Sequence, residues 1–252
     1  MKKISMLFLC LTVLTSSTFA GKRDEDKDEV VKKNAVKLNL TALAFNNLGV
    51  QYERALGPKI SVACQLRYTY SQKVPLGESI SNLTDDSTFT GSMKMGGWAI
   101  TPEFRFYPRK AMKGFYLAPY LRIRNISLDV PLNYTDDNNK SQSILATGNL
   151  NSFGGGLMIG SHFNIGKSFS LDWFIIGFHI MTNSGSFKGT STETMSANDQ
   201  ADLISDLQDI KDNTSWTIKK FDYSVTSNSV SIDAKYTSFG FRGFGLNFGY
   251  RF

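Results

Sequence analysis

Phe244-Gly245-Leu246-Asn247-Phe248-Gly249-Tyr250-Arg251-Phe252 is the stretch on which the reading of this chain turns. Phe244, Leu246, Phe248, Tyr250 and Phe252 fall on every second position, with Gly245, Asn247, Gly249 and Arg251 between them. A period of two sends the large apolar side chains to one face of a β-strand and the small or polar ones to the other. The sequence stops on an aromatic residue. An alternating strand of this kind is expected to close a bacterial outer-membrane β-barrel, with its five apolar residues acting as a C-terminal membrane-insertion signal.

The alternation recurs upstream. Val36, Leu38, Leu40 and Ala42 alternate with Lys37, Asn39 and Thr41, and Leu48, Val50 and Tyr52 with Gly49, Gln51 and Glu53. Ile60 to Tyr70 forms a third strand with Gln65 and Arg67 on its polar face. Trp98, Ile100, Pro102, Phe104 and Phe106 oppose Ala99, Thr101, Glu103 and Arg105; Phe115, Leu117, Pro119, Leu121 and Ile123 oppose Tyr116, Ala118, Tyr120, Arg122 and Arg124. Pro102 and Pro119 lack an amide donor, so bulges or local distortions are expected there. A sixth strand, from about Leu150 to Phe163, contains Gly154-Gly155-Gly156, which permits sharp curvature. A seventh, from Phe169 to about Ile180, is apolar on both faces except at Asp172, which predicts a bulge or a one-residue slip.

Connections fall into two classes. Those around Gly57, Pro108 to Gly114 and Asn164 to Ser168 are short, whereas Ser71 to Met95, Pro131 to Gly148 and Asn183 to about Val230 read as long polar loops. In the last of these, Leu203, Ile204, Leu207 and Ile210 have helical spacing, which predicts a short amphipathic helix over Ser196 to Asn213 capped by Ser196 or Asn198. The fold expected is all-β: a closed antiparallel transmembrane β-barrel of eight strands, or ten if the 181–235 region holds an extra hairpin with a strand near Trp216 to Tyr223. Short turns and both termini would be periplasmic, and the helix-bearing loop extracellular.

The front of the chain supplies an address. Lys2 and Lys3, an apolar run from Ile4 to Leu14, and Thr18-Phe19-Ala20 make residues 1–20 a secretory signal peptide. The run is too short to span a bilayer as a helix, and the bulky Leu9 before Cys10 argues against a lipoprotein signal. Gly21 to Asn34 is a charged periplasmic lead-in, and residues 35–252 make the barrel. Only Cys64 is left after the signal, so no intramolecular disulfide is expected. The net charge is +6, but bases and acids are mixed along the chain. That dispersion, with the export signal, excludes nucleic acid as the expected partner. The expected location is the outer membrane, with its lipids and lipopolysaccharide as partners and the barrel-assembly machinery during insertion.

Glu53, Arg67, Glu103, Arg105, Arg122, Arg124, Asp172 and Arg251 all fall on the polar face. An apolar core would not tolerate so many charges, whereas a polar lumen can pair acids with arginines. Arg105, Arg122 and Arg124 read either as a selectivity lining or as lumen salt-bridge partners; the second is the reading adopted.

The runs LNLTALAFNNLGVQYERALGPKISVACQLRYTY (38–70), ITPEFRFYP (100–108), GFYLAPYL (114–121) and GFGLNFGYRF (243–252) resemble a family of small outer-membrane β-barrel proteins of Bacteroidota, many of which carry only a domain-of-unknown-function description. The resemblance spans roughly Val36 to Phe252 and implies fold and membrane. It implies no catalytic residues, and the helix-bearing segment near Ser196 departs from the shorter members.

A search for chemistry is sparse in result. His162 and His179 are the histidines, and no Cys/His spacing suits zinc; no metal and no cofactor is expected. Lipid-modifying barrel enzymes need a histidine beside a serine. His179, with Ser184 and Ser186 downstream, is the candidate, and His162 reads as a hydrogen-bonding lumen residue. Asp85-Asp86 and Asp136-Asp137 read as solvated loop acids, with calcium binding as the alternative. The function expected is a structural or surface-interaction role without catalysis. The alternatives are a narrow small-solute channel, a lipid-modifying enzyme and a soluble periplasmic barrel.

Overall fold

The computed structural model describes residues 32–73, 93–135, 141–191, 193–213 and 217–252. The expected signal peptide, most of the lead-in, Asp85-Asp86 and Asp136-Asp137 lie outside these residues. The elements are β1 (Asn34–Asn39), α1 (Leu40–Ala44), β2 (Asn47–Ala55), β3 (Ile60–Lys73), β4 (Lys94–Phe106), β5 (Gly114–Thr135), β6 (Ser141–Ile165), β7 (Phe169–Ser191), α2 (Ala197–Asn213), β8 (Ile218–Val225), β9 (Ser229–Arg242) and β10 (Gly245–Arg251).

Neighbouring strands pair antiparallel from β1 through β7, and β10 pairs with both β7 and β1, which closes a ring of eight strands. β9 and β10 lie end to end along β7: Arg242 pairs with Gly177, and Gly245 with Phe174. Together they act as one stave, interrupted at Gly243-Phe244. The extra hairpin strand near Trp216 to Tyr223 is β8, which pairs only with β9 and stands outside the ring.

Several expected elements change. β1 ends at Asn39 rather than Ala42, because the Asn39 side chain accepts a 2.7 Å bond from the Ala42 amide and caps the helical turn α1. The polar segments 131–148 and 183–191, read as loops, are largely strand: β5 pairs with β6 out to Thr135–Ser141, and β7 continues to Ser191. Alternation is the mark of a strand with one apolar face. The parts of these strands outside the ring need only their backbone ladder, so their polar sequence hid them. At about 3.3 Å per residue, β6, with 25 residues, extends for about 80 Å. β2 has nine residues, so the wall is far taller on one side.

The slip expected in β7 is present. Register shifts between Ile159 and Gly160 of β6 and leaves Ile175 without a partner. Before that point Asp172 and Phe174 are buried; after it Gly177 and Met181 are buried and Phe178 and Ile180 exposed. Pro102 and Pro119, in contrast, cause no bulge. The β4–β5 register is unchanged from Ile100–Ile123 through Glu103–Tyr120 to Phe106–Leu117, and pairs are simply missing between these points. Both prolines direct their missing donor to the same seam, so the ladder loses bonds without gaining a residue.

Beyond the ring, β5 to β9 form a sheet with its own small core. Ile144, Met195, Leu207 and Val230 are buried together, with Leu203, Tyr223 and Ile232 against them. The α2 N-terminus is capped reciprocally: Ser196 Oγ accepts from the Asp199 amide at 3.1 Å, and Asp199 Oδ2 accepts from the Ser196 amide at 2.9 Å. Leu203 and Leu207 turn inward while Ile204 stays 42% exposed, a narrower apolar stripe than the spacing predicts.

Candidate functional site

The interior of the ring is built by parity. Lys37, Gln51, Glu53, Ser61, Arg105, His162 and Asp172, from six strands, are all at most 1% exposed. Lys37 Nζ bonds both Glu53 and Asp172. Arg105 Nη1 donates to Glu53 at 3.0 Å and to Asp172 at 2.6 Å, and its Nη2 donates to Glu103 at 2.6 Å. Tyr107 and Ser61 donate to Glu53 Oε1 at 2.7 and 2.5 Å, and Tyr116 donates to Asp172 Oδ1 at 2.9 Å. One level higher, Arg242 Nη1 donates to Glu103 at 2.8 Å, its Nη2 bonds Gln65, and its guanidinium lies 4.4 Å from the Phe174 ring centroid. Three cations therefore face three carboxylates, each carboxylate saturated with charge-assisted bonds.

Packing completes this layer. Tyr107, Tyr116, Ala118, Tyr120, Met158 and Phe174 form a buried apolar cluster against the charges. Gly160 is required there: a Cβ on it would lie 2.4 Å from Tyr116 Cζ and 2.7 Å from the Trp173 carbonyl. Gly160→Ala is expected to push Tyr116 off Asp172 and to cost about 1–3 kcal/mol, measured by urea unfolding of the refolded protein. An unchanged midpoint would show that the ring moves aside freely.

Glu53, Glu103, Arg105 and Asp172 of the expected inward set thus meet in one network, and Arg251 is inward and buried beside Ala35 at the end where β1 starts and β10 closes. Lys37, although on the polar face of β1, and Arg242, in the unassigned stretch between the long connection and the closing strand, were missing from that set. The alternation Phe239-Gly240-Phe241-Arg242 was the available signal for the second. In the C-terminal segment Phe248, Tyr250 and Phe252 are exposed outward, Leu246 is half-buried, and Phe244 sits in the stave's interruption at 65% exposure.

Arg67, Arg122 and Arg124 depart from the salt-bridge reading. They line a cavity of about 500 Å³ at the end of the ring opposite the start of β1 and the close of β10, walled by α1, β3, β4 and β5. No carboxylate pairs with any of them among the described residues; Arg124 Nε donates to Ser152 at 3.2 Å, and the buried Nε atoms of Arg67 and Arg122 have no partner.

The two histidines sit in different surroundings. His162 Nδ1 is 3.4 Å from Lys37 Nζ and 3.5 Å from Glu53 Oε2, within the buried network. His179 Nδ1 meets the Tyr120 hydroxyl at 3.0 Å. Ser184 and Ser186 lie farther along β7, roughly 16 Å or more away at ~3.3 Å per residue, so no nucleophile–base pair forms between them and His179. Glu53, His162 and Asp172 bring ligand-type atoms within 4.8 Å of one another. The Lys37 ammonium already bonds both of those carboxylates, so their charge is met by a protein cation.

With this geometry in view, the comparisons with known proteins are brief. The profile of one family, "Protein of unknown function (DUF3575)", matches residues 5–205. The chain belongs to this family. The match runs from β1 through β7 and the first half of α2. In this DUF3575 protein it therefore takes in Lys37, Glu53, Arg105 and Asp172 as well as all three mouth arginines. Comparison with curated proteins and with solved structures gave no match.

Proposed function

We propose that this DUF3575 protein is an integral outer-membrane β-barrel with a sealed interior, acting in a structural or surface-interaction role rather than in catalysis. One observation carries the reading. The outside of the ring is a continuous belt of large apolar side chains, including Val50, Leu66, Phe104, Leu121, Phe153 and Phe178 at 39–57% exposure, around an interior of buried charge. A soluble protein rarely leaves so extended an apolar surface to water. In lipid the same surface is solvated, and a closed ring leaves no backbone edge unpaired. A soluble lipocalin-like barrel would carry the reverse distribution. Tyr68, Tyr70 and Trp98 at one level and Phe106, Phe115, Phe169 and Tyr250 at the other fit the two aromatic girdles of such a belt.

The buried network argues against a channel, since Lys37, Arg105, Tyr107, Tyr116 and Phe174 fill the section with side chains at most 1% exposed. Planar-bilayer recordings are expected to show no conductance above background. The tall sheet from β5 to β9 with α2 favours a surface-interaction role: it would stand beyond the membrane on the extracellular side, with both termini in the periplasm. On this reading residues 1–20 are the export signal, the alternating C-terminal residues engage the assembly machinery, and lipids with lipopolysaccharide surround the belt. The likeness to Bacteroidota barrels agrees with it.

Fractionation should place the protein with outer-membrane lipids. A sharper test uses Cys64, which is exposed on the outer face of β3 between Val62 and Leu66. In a Cys10→Ser background reconstituted into liposomes, Cys64 is expected to resist a charged, water-soluble maleimide and to react fully once unfolded in denaturant. Rapid labelling in the liposomes would sink the membrane reading.

A further inference from the structure

We propose that the mouth cavity is a binding cup for a small molecule bearing an oxyanion, a phosphate or carboxylate, held by Arg67, Arg122 and Arg124. The argument is a contrast within one molecule. Deeper in the ring, inward cations and carboxylates are matched three against three. At the mouth the matching stops, and three guanidiniums share a cavity of about 500 Å³ with no acid between them among the described residues. Arg122 lies in the field of Arg67, Arg124 and Arg242. Crowded like charges oppose folding, and such an arrangement is the ordinary signature of a site that gives up stability for a ligand.

Local geometry fits an oxyanion. Arg67 on β3, Ala99 on β4 and Arg124 on β5 occupy one register row. Two strand spacings set the arginine backbones about 10 Å apart. The small Ala99 between them leaves the gap open, with long planar forks on either side that suit phosphate and carboxylate oxygens. Two donors aimed at such a ligand, Arg67 Nε and Arg122 Nε, are buried at this cavity without a hydrogen-bond partner. Deeper along the same inward faces, Arg242, Glu103 and Gln65 are buried and bonded to one another, so the section below the cup is filled and the site suits retention rather than passage. None of this depends on the surrounding phase, so the site can be tested whether the chain proves to be membrane-embedded or soluble.

The test is isothermal titration calorimetry on the refolded full-length chain in a non-ionic maltoside detergent, or in plain buffer should it dissolve there. Phenyl phosphate, inorganic phosphate and citrate are the probes. One saturable site per chain is expected for at least one of them, weakening with added salt, with about a tenfold loss of affinity in each of Arg67→Gln and Arg122→Gln. Two further readouts separate binding from folding. The unliganded Arg67→Gln and Arg122→Gln variants should melt no lower than the parent, because like-charge repulsion is relieved. Ala99→Leu, which keeps every arginine and fills the gap, should abolish binding. Nanodiscs containing or lacking phosphatidic acid identify the source of the oxyanion: competition with phenyl phosphate marks a lipid headgroup, and its absence marks a soluble solute. Absence of saturable binding by all three soluble probes at low ionic strength, or binding untouched in the arginine variants, overturns the proposal.

Discussion

Arg105→Leu is expected to lower the unfolding free energy by about 3–5 kcal/mol, enough to prevent refolding into a ring with the native urea midpoint. The side chain is wholly buried and donates to Glu53, Glu103, Asp172 and Gln51, which come from β2, β4 and β7. It is therefore a tie across the ring as well as a charge. Its removal leaves three carboxylates facing only Lys37 and Arg242, and one negative charge is stranded in a layer from which water is excluded. A lysine carries the charge but has no planar fork, and one ammonium cannot span Glu103 and Asp172 together. Arg105→Lys should thus recover part of the loss and remain measurably below the parent. The measurement is equilibrium urea unfolding in detergent micelles, followed by tryptophan fluorescence. A variant as stable as the parent would mean that the network merely fills space.

The ring was legible because a strand with one apolar and one polar face leaves a period-two record. Val36 to Leu38, Leu48 to Tyr52, Ile60 to Tyr68 and Phe244 to Phe252 carry it, and those residues do alternate between exposed and buried. The ambiguity at β7 was legible too, since two apolar faces in one strand require a change of parity, and the unpaired Ile175 supplies it. The projecting sheet was not legible. Asn149, Asn151, Ser184 and Ser186 are exposed and pair in regular ladders, and nothing in their order distinguishes such a strand from a loop. α1 escaped notice for a different reason: Leu40 and Ala42 continue the alternation, and only the Asn39 side chain turns the chain aside.

The candidate site was half legible. Parity puts a charge inside, but it does not say at what height, and height decides partnership. Arg105 and Arg122 look alike in sequence, each one residue among alternating apolar neighbours. Strand tilt and register bring Arg105 level with Glu53 and Asp172 and leave Arg122 at the mouth beside Arg67 and Arg124. The pairing of acids with arginines was read from their shared face, although the expected set holds three acids and five arginines. The structure separates them into a matched layer and an unmatched one.

Leu66→Arg is the substitution that weighs most directly on the phase around the ring. Leu66 points outward from β3, is 55% exposed, and lies in one register row with Val50 of β2 and Ile100 of β4. It makes no inward contact, and its backbone bonds remain whatever side chain it carries. Surrounded by water, such a change costs no more than about 0.5 kcal/mol, since a half-exposed leucine loses little when replaced by a long solvated side chain. At the midplane of a bilayer the guanidinium must be drawn out of hydrocarbon or hydrated in place, and the expected cost is about 2–4 kcal/mol. Tyr70→Arg, on the same face of the same strand and nearer the mouth, should cost only about 0–1 kcal/mol, because the headgroups are within reach. The comparison is made by reversible unfolding in phospholipid vesicles of the parent and the two variants. A steep loss at Leu66 with little at Tyr70 maps a depth-dependent medium; equal and small losses at both would show that the belt faces water, whatever its composition.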